Sequence, residues 1–205
     1  MPDLLDAIQK RRSIRKYQKH EVPKELVEAV LAAAGWAPSA HNAQPWRFII
    51  LADSSVKRKL ALAMVGAWAA DMAYDSVTID EQKRAAKFER FANAPVLILA
   101  CLTMEGMQKF SDKKRQKCER DLAMQSLGAA IENLLLTAHI KGLGACWFCA
   151  PSFCKDKVKK VLKIPAEIEP QALVALGYPA ESPPIPAKKT LGECCFLNTW
   201  GNKLV

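Results

Sequence analysis

The chain has 205 residues, half of them hydrophobic, enough to bury one core, and its formal net charge is +9. No apolar run reaches the roughly 18 residues of a membrane span, and the N-terminus alternates apolar and charged residues rather than forming a signal peptide, so the expected compartment is the cytoplasm. The basic charge favours phosphate as a partner, whether on nucleic acid or on a nucleotide cofactor; no zinc finger, heptad basic region or RNA-binding aromatic signature accompanies it.

In chain order, Asp3 is placed to cap a first helix over Leu4 to Lys10, and Val22-Pro23 opens a second that Gly35 ends. Pro38 to Pro45 reads as a polar loop. Arg47 to Ala52 reads as a buried strand, followed by a helix capped by Ser54 or Ser55 and running to about Val65. Gly66 to Phe91 contains helical stretches without a clear period. Val96 to Leu102 is a second strand, and Cys118 to Lys141 the longest helix, stopped by Gly142 and Gly144. The basic stretch Lys109 to Arg120 reads as a solvated loop entering that helix. Ala145 to Phe148 and Gln171 to Leu176 are further strands, with a helix over Asp156 to Leu162 between them. From about residue 179 the chain is proline-rich and extended, a tail that buries little by itself and is expected to wrap over a partner surface. Strands separated by helices give one α/β or α+β domain over 1–205 around a small sheet.

Seven cysteines, an odd number in a long chain without an export signal, do not make a disulfide scaffold; reduced and mostly buried thiols are expected. Cys146 and Cys149 have C-x-x-C spacing, but no second pair exists to complete a metal site, so none is expected.

Two stretches carry possible chemistry. Arg11-Arg12-Ser13-Ile14-Arg15 places three guanidinium groups and a hydroxyl within five residues. In an extended segment Arg11, Ser13 and Arg15 point to one side, able to grip a phosphate, and Arg12 to the other. The alternative is pairing of cations with the end of the preceding helix. In Pro38 to Phe48, the side chains of Ser39, Asn42 and Gln44 could bond along the edge of a heteroaromatic ring, or simply satisfy a turn.

Together, these motifs resemble the nitroreductase family. Arg11-Arg12-Ser13-Ile14-Arg15 is followed by Ala37-Pro38-Ser39-x-x-Asn42-x-Gln44-Pro45-Trp46-Arg47-Phe48. Later come Asn133-Leu134-Leu135-Leu136-x-Ala138, Gly142-Leu143-Gly144-x-Cys146-Trp147 and Ala175-Leu176-Gly177-Tyr178-Pro179, in the family's order. The resemblance implies an α+β fold with a small, mostly antiparallel central sheet flanked by helices, an intertwined homodimer, and FMN at interface sites. It places Arg11, Arg12, Ser13 and Arg15 on the flavin phosphate and pyrimidine edge. Pro38, Ser39, Ala40, Asn42 and Gln44 reach the same flavin from the other subunit, and Lys188 and Lys189 join the phosphate. Trp147, Cys149 and Ala150 lie nearest the reactive ring edge, where many members carry a Gly-Gly or Glu-Gly pair in place of Cys149-Ala150.

No dedicated catalytic residue is implied, because the flavin carries the chemistry. Arg12 or Arg15 would stabilise negative charge on the reduced ring. NADPH or NADH donates hydride, and a nitroaromatic, quinone or similar acceptor takes it in a ping-pong cycle. Reductive dehalogenation, oxidative flavin cleavage and a deazaflavin-linked reaction are alternatives within the fold. A non-catalytic flavin-binding protein and a nucleic-acid-binding protein are alternatives outside it. Residues 64–91 are a candidate substrate cover, or else core and dimer contacts.

Overall fold

The computed structural model describes residues 3–205. Four strands, β1 (Trp46–Leu51), β2 (Val96–Leu102), β3 (Gly144–Phe148) and β4 (Glu169–Gly177), form one sheet in the order β1-β2-β4-β3. Every neighbouring pair is antiparallel. Around it lie α1 (Leu4–Lys10), α2 (Lys24–Gly35), α3 (Ser54–Tyr74), α4 (Glu81–Ala92), α5 (Lys113–Ile140), α6 (Lys155–Leu162) and α7 (Leu191–Cys194). No helix among the described residues is long and apolar enough to cross a membrane.

The sheet is covered on both faces, and the two-residue period of its central strands assigns each side chain to a layer. From β2, Val96, Ile98, Ala100 and Leu102 join α2 and α5 in one apolar cluster, while Leu97, Leu99 and Cys101 join α3, α4 and α6 in the other. In β4, Val174 and Leu176 face the first layer, and Leu173 and Ala175 the second. Strands buried on both faces read as unbroken apolar runs, which is why these two were recognisable. Each large side chain so buried contributes about 1.5–3 kcal/mol.

Several boundaries differ from expectation. Helix α3 is capped by Asp53, whose carboxylate accepts from Ser55 N at 2.7 Å and Val56 N at 3.2 Å, and not by the serines that follow it. It runs through Gly66 to Tyr74, because a helical glycine costs only about 1 kcal/mol against alanine and the surrounding residues form helix well. Helix α5 begins at Lys113, capped by Asp112, so most of the basic stretch is helical rather than loop. Residues 181–189 carry no helix or strand, but α7 interrupts the tail. Thr190 and Glu193 there form a reciprocal capping box, a signature present in the sequence as Thr-x-x-Glu. Nor are most thiols buried. Cys101, Cys146 and Cys154 are; Cys118, Cys149 and Cys194 are exposed, and Cys195 is half-buried. All seven are free.

The segment after α1 runs beside the β3 edge. Ile14 N donates to Ala145 O at 3.0 Å, and Ser13 bridges Ala145 in parallel. This approach requires Gly144, since a Cβ there would meet three Ile14 side-chain carbons at 2.8 Å. Tyr17 anchors the far end, its hydroxyl 2.5 Å from Ile14 O and 3.1 Å from Ala175 O. Burial pushes that phenol well above its ordinary range.

Candidate functional site

Arg11, Arg12, Ser13 and Arg15 all line one cleft of about 830 Å³, together with Lys188, Glu132 and the prolines of residues 183–186. Two distant basic stretches therefore meet, and a phosphate monoester matches their donors. Lys188 is exposed; Lys189 is exposed too but lies outside the cleft lining. The expectation that Arg12 points away from its neighbours is corrected. Only an isolated bridge ties this segment to the sheet, so strict alternation does not hold, and Arg12 Nη1 donates to Gln9 O and Arg11 O at 2.6 Å each.

Charges around the cleft shape its field. Arg11 Nε lies 3.7 Å from Glu132 Oε1, a loose contact that leaves the guanidinium available. Glu181 accepts from the backbone N–H of Arg15 at 2.6 Å and of Lys16 at 3.1 Å, so it positions the segment without neutralising the arginine side chain. On α5, burial holds the His139 imidazole below its ordinary range, and the positive field of Arg11 and Arg12 adds to this. An anion between those arginines would be favoured by the same field.

The Pro38 to Gln44 loop does not line this cleft in the same chain. It is held in an unusual backbone form, with φ of 56° at His41, 51° at Asn42 and 48° at Gln44. Left-handed non-glycine residues cost of the order of 1–3 kcal/mol each and persist only where the surroundings determine them. Here Ala40 N donates to Ser126 Oγ at 3.1 Å, Gln44 N to Ser39 Oγ at 3.0 Å, and His41 Nε2 lies 3.2 Å from Glu119 Oε2. Glu119 is buried and also accepts from Gln108 N at 3.1 Å. Ser39 thus spends its hydroxyl within the turn, whereas Asn42 and Gln44 are exposed. Glu119 and Ser126 went unrecognised because their roles depend on α5 packing under a loop about 80 residues earlier.

Trp147, Cys149 and Ala150 line a second cavity, of about 690 Å³, between the end of β3 and the α3–α4 pair. Met64, Trp68, Met72 and Phe91 from residues 64–91 form its other wall. The turn that follows β3, residues 150–153, is fixed from below. Ser152 Oγ donates to Gln171 O at 2.6 Å, and Gln171 Nε2 to Glu169 Oε2 at 3.1 Å. The same Glu169 oxygen accepts from Arg120 Nη2 and Lys155 Nζ, both at 2.8 Å. Hydrogen bonding from Arg120, then from Lys155, lowers the Glu169 carboxyl from its ordinary 4.5 to about 2, against the opposing effect of burial.

Comparison with known proteins identifies the family and the fold. A family model described as the nitroreductase family matches residues 8–178. A relative from Methanothermobacter thermautotrophicus, carrying the name NADH dehydrogenase/NAD(P)H nitroreductase, is 34% identical over 185 residues, 88% of this chain and 80% of that protein. A crystal structure of a BluB-like flavoprotein from Clostridium difficile 630 superposes with a TM-score of 0.79 at 29% identity, covering 97% of this chain and 100% of the other. A nitroreductase structure from Desulfovibrio desulfuricans in complex with FMN gives a TM-score of 0.72 at 27% identity, covering 94% and 95%.

Proposed function

The chain belongs to the nitroreductase family, and on that premise we propose that it is an FMN-dependent oxidoreductase, taking hydride from NADPH or NADH and passing it to a nitroaromatic, quinone or similar conjugated acceptor. The observation that carries the reading is the meeting of Arg11, Arg12, Ser13 and Arg15 with Lys188 in one cleft, across more than 170 residues of sequence. Bound FMN supplies the hydride-accepting and hydride-donating centre.

The residues present fit that group. Arg11, Arg12 and Lys188 would hold the phosphate, and Ser13 adds a hydroxyl donor. Arg15, whose Nη1 also bonds Ser13 O at 3.2 Å, would face the pyrimidine edge and stabilise negative charge there. Trp147, Cys149 and Ala150 would border the reactive edge and keep water from it.

The Pro38–Gln44 loop is assigned to the flavin site of a second copy. Two features support this: its strained, exposed Asn42 and Gln44, and its absence from the arginine cleft of its own chain. The α1 face bearing Leu4, Leu5 and Ile8 is exposed, as are Leu191, Trp200 and Leu204 of the tail, and a homodimer would cover both.

The test is an absorbance spectrum of the purified protein, followed by anaerobic NADPH and NADH. Flavin bands that bleach with a nicotinamide are expected; a colourless protein that refuses added FMN overturns the proposal. For the shared site, inactive Arg11→Ala and Asn42→Ala proteins are mixed. Recovered activity is expected, and none despite demonstrated subunit exchange refutes the assignment.

A further inference from the structure

The cavity between α3, α4 and the end of β3 has a polarity that narrows the acceptor class. At about 690 Å³ it suits a small aromatic molecule, and Trp68, Phe91, Trp147 and Phe148 give it flat apolar walls. Two cations stand against those walls. Lys87 Nζ sits 3.7 Å from the Trp68 ring centroid, and the Arg90 guanidinium 6.0 Å from that of Phe148. Neither makes an ion pair among the described residues.

We propose that this cavity selects flat aromatic ligands bearing an anionic substituent, which Lys87 and Arg90 receive. The proposal rests on the flavin-oxidoreductase reading for its consequence in turnover, though not for binding itself.

The charges around Lys87 support it. The ammonium is partly stripped of water, and burial first, then repulsion from Arg90, disfavours its charged form. An anion placed between the two cations relieves both effects. Asp71 and Asp75 also line the cavity, from the exposed end of α3. Neither forms an ion pair with Lys87 or Arg90. The cavity thus carries its two cations on α4 and its two carboxylates at the end of α3. Apolar aromatic walls supply no counter-charge for an anionic substituent, so that discrimination falls to these two side chains.

The experiment compares 3,5-dinitrobenzoate with 1,3-dinitrobenzene, which share a ring and two nitro groups and differ by one carboxylate. Binding to the flavin-loaded protein is read from quenching of tryptophan fluorescence, since Trp68 and Trp147 line the cavity. The benzoate should bind about tenfold more tightly, as expected for a charge-assisted contact at a partly exposed site. The preference should vanish in Lys87→Gln/Arg90→Gln, survive in Arg90→Lys, and be unchanged or greater in Asp75→Asn. In steady-state reduction, the benzoate-to-benzene ratio of kcat/KM should fall by the same factor in the double variant. Equal or tighter binding of the neutral compound, a preference that survives the double substitution, or no binding of either compound overturns the proposal. Far-ultraviolet circular dichroism checks that the variants fold; if the double variant does not, Lys87→Gln alone, expected to lose most of the preference, keeps the test decisive. A protein lacking flavin would instead overturn the cofactor reading, and the quenching comparison on that protein would still decide the cavity's selectivity.

Discussion

Replacing Glu169 by glutamine removes one carboxylate on which Arg120, Lys155 and Gln171 converge. A carboxyl held at about 2 instead of 4.5 corresponds to at most ~3.4 kcal/mol of stability at neutral pH. The side chain is 31% exposed and its cationic partners 40% and 30%, so solvent screening reduces that ceiling to about 1–2 kcal/mol. The sign is fixed by linkage. The native state holds the carboxyl ionised more readily than the unfolded chain does, so the contribution is complete above about pH 4.5 and disappears as the pH falls toward 2. Urea unfolding of both proteins at fixed flavin concentration, followed by circular dichroism from pH 7 to pH 3, measures it. Glu169→Gln should unfold at lower urea at pH 7 with an unchanged slope, and the gap should close on acidification. Coincident curves at pH 7, or a gap undiminished at pH 3, refute the reasoning.

Gly144→Ala places a methyl group 2.8 Å from Ile14 carbons; it should destabilise the fold by about 1–3 kcal/mol and weaken FMN retention, measured by thermal unfolding and by flavin titration. Retained FMN affinity would separate the arginine segment from its seat on β3. Lys57 is buried at 6% exposure and donates to Ala94 O at 2.6 Å and Pro95 O at 2.9 Å. Lys57→Met keeps the bulk but orphans those carbonyls, and should cost about 1–3 kcal/mol in chemical denaturation. Cys101, pushed up to about 12 by burial, should react with a thiol reagent only on unfolding, while the exposed Cys118 reacts at once in the native protein, as peptide mapping would show.

What was legible in the sequence was what local chemistry decides. The strands at Val96 to Leu102 and Gln171 to Leu176 announce themselves as apolar runs buried on both faces. The arginine motif shows because four of five adjacent residues carry one chemistry. The same adjacency rule failed for Lys57 and Glu119, charged residues within polar stretches, whose burial depends on carbonyls or a histidine from another element. Nor does the α3–α4 region have a readable period. Helix α3 is mixed around much of its circumference because one part covers the sheet while another walls the cavity. The Glu169 network joins α5, α6, β4 and the turn after β3, and no window of sequence contains it.

The parallel contact between Ser13 and Ala145 also bears on solubility. Strand β3 is an outermost strand, and an outermost strand offers unpaired amides and carbonyls to any stray chain. Residues 13 and 14 occupy the beginning of that margin, and the flanking guanidinium groups repel a second copy of the same basic segment. The segment proposed to hold the flavin phosphate therefore also covers an open strand margin. A substitution in these arginines chosen to tune the ligand should also be screened for precipitation.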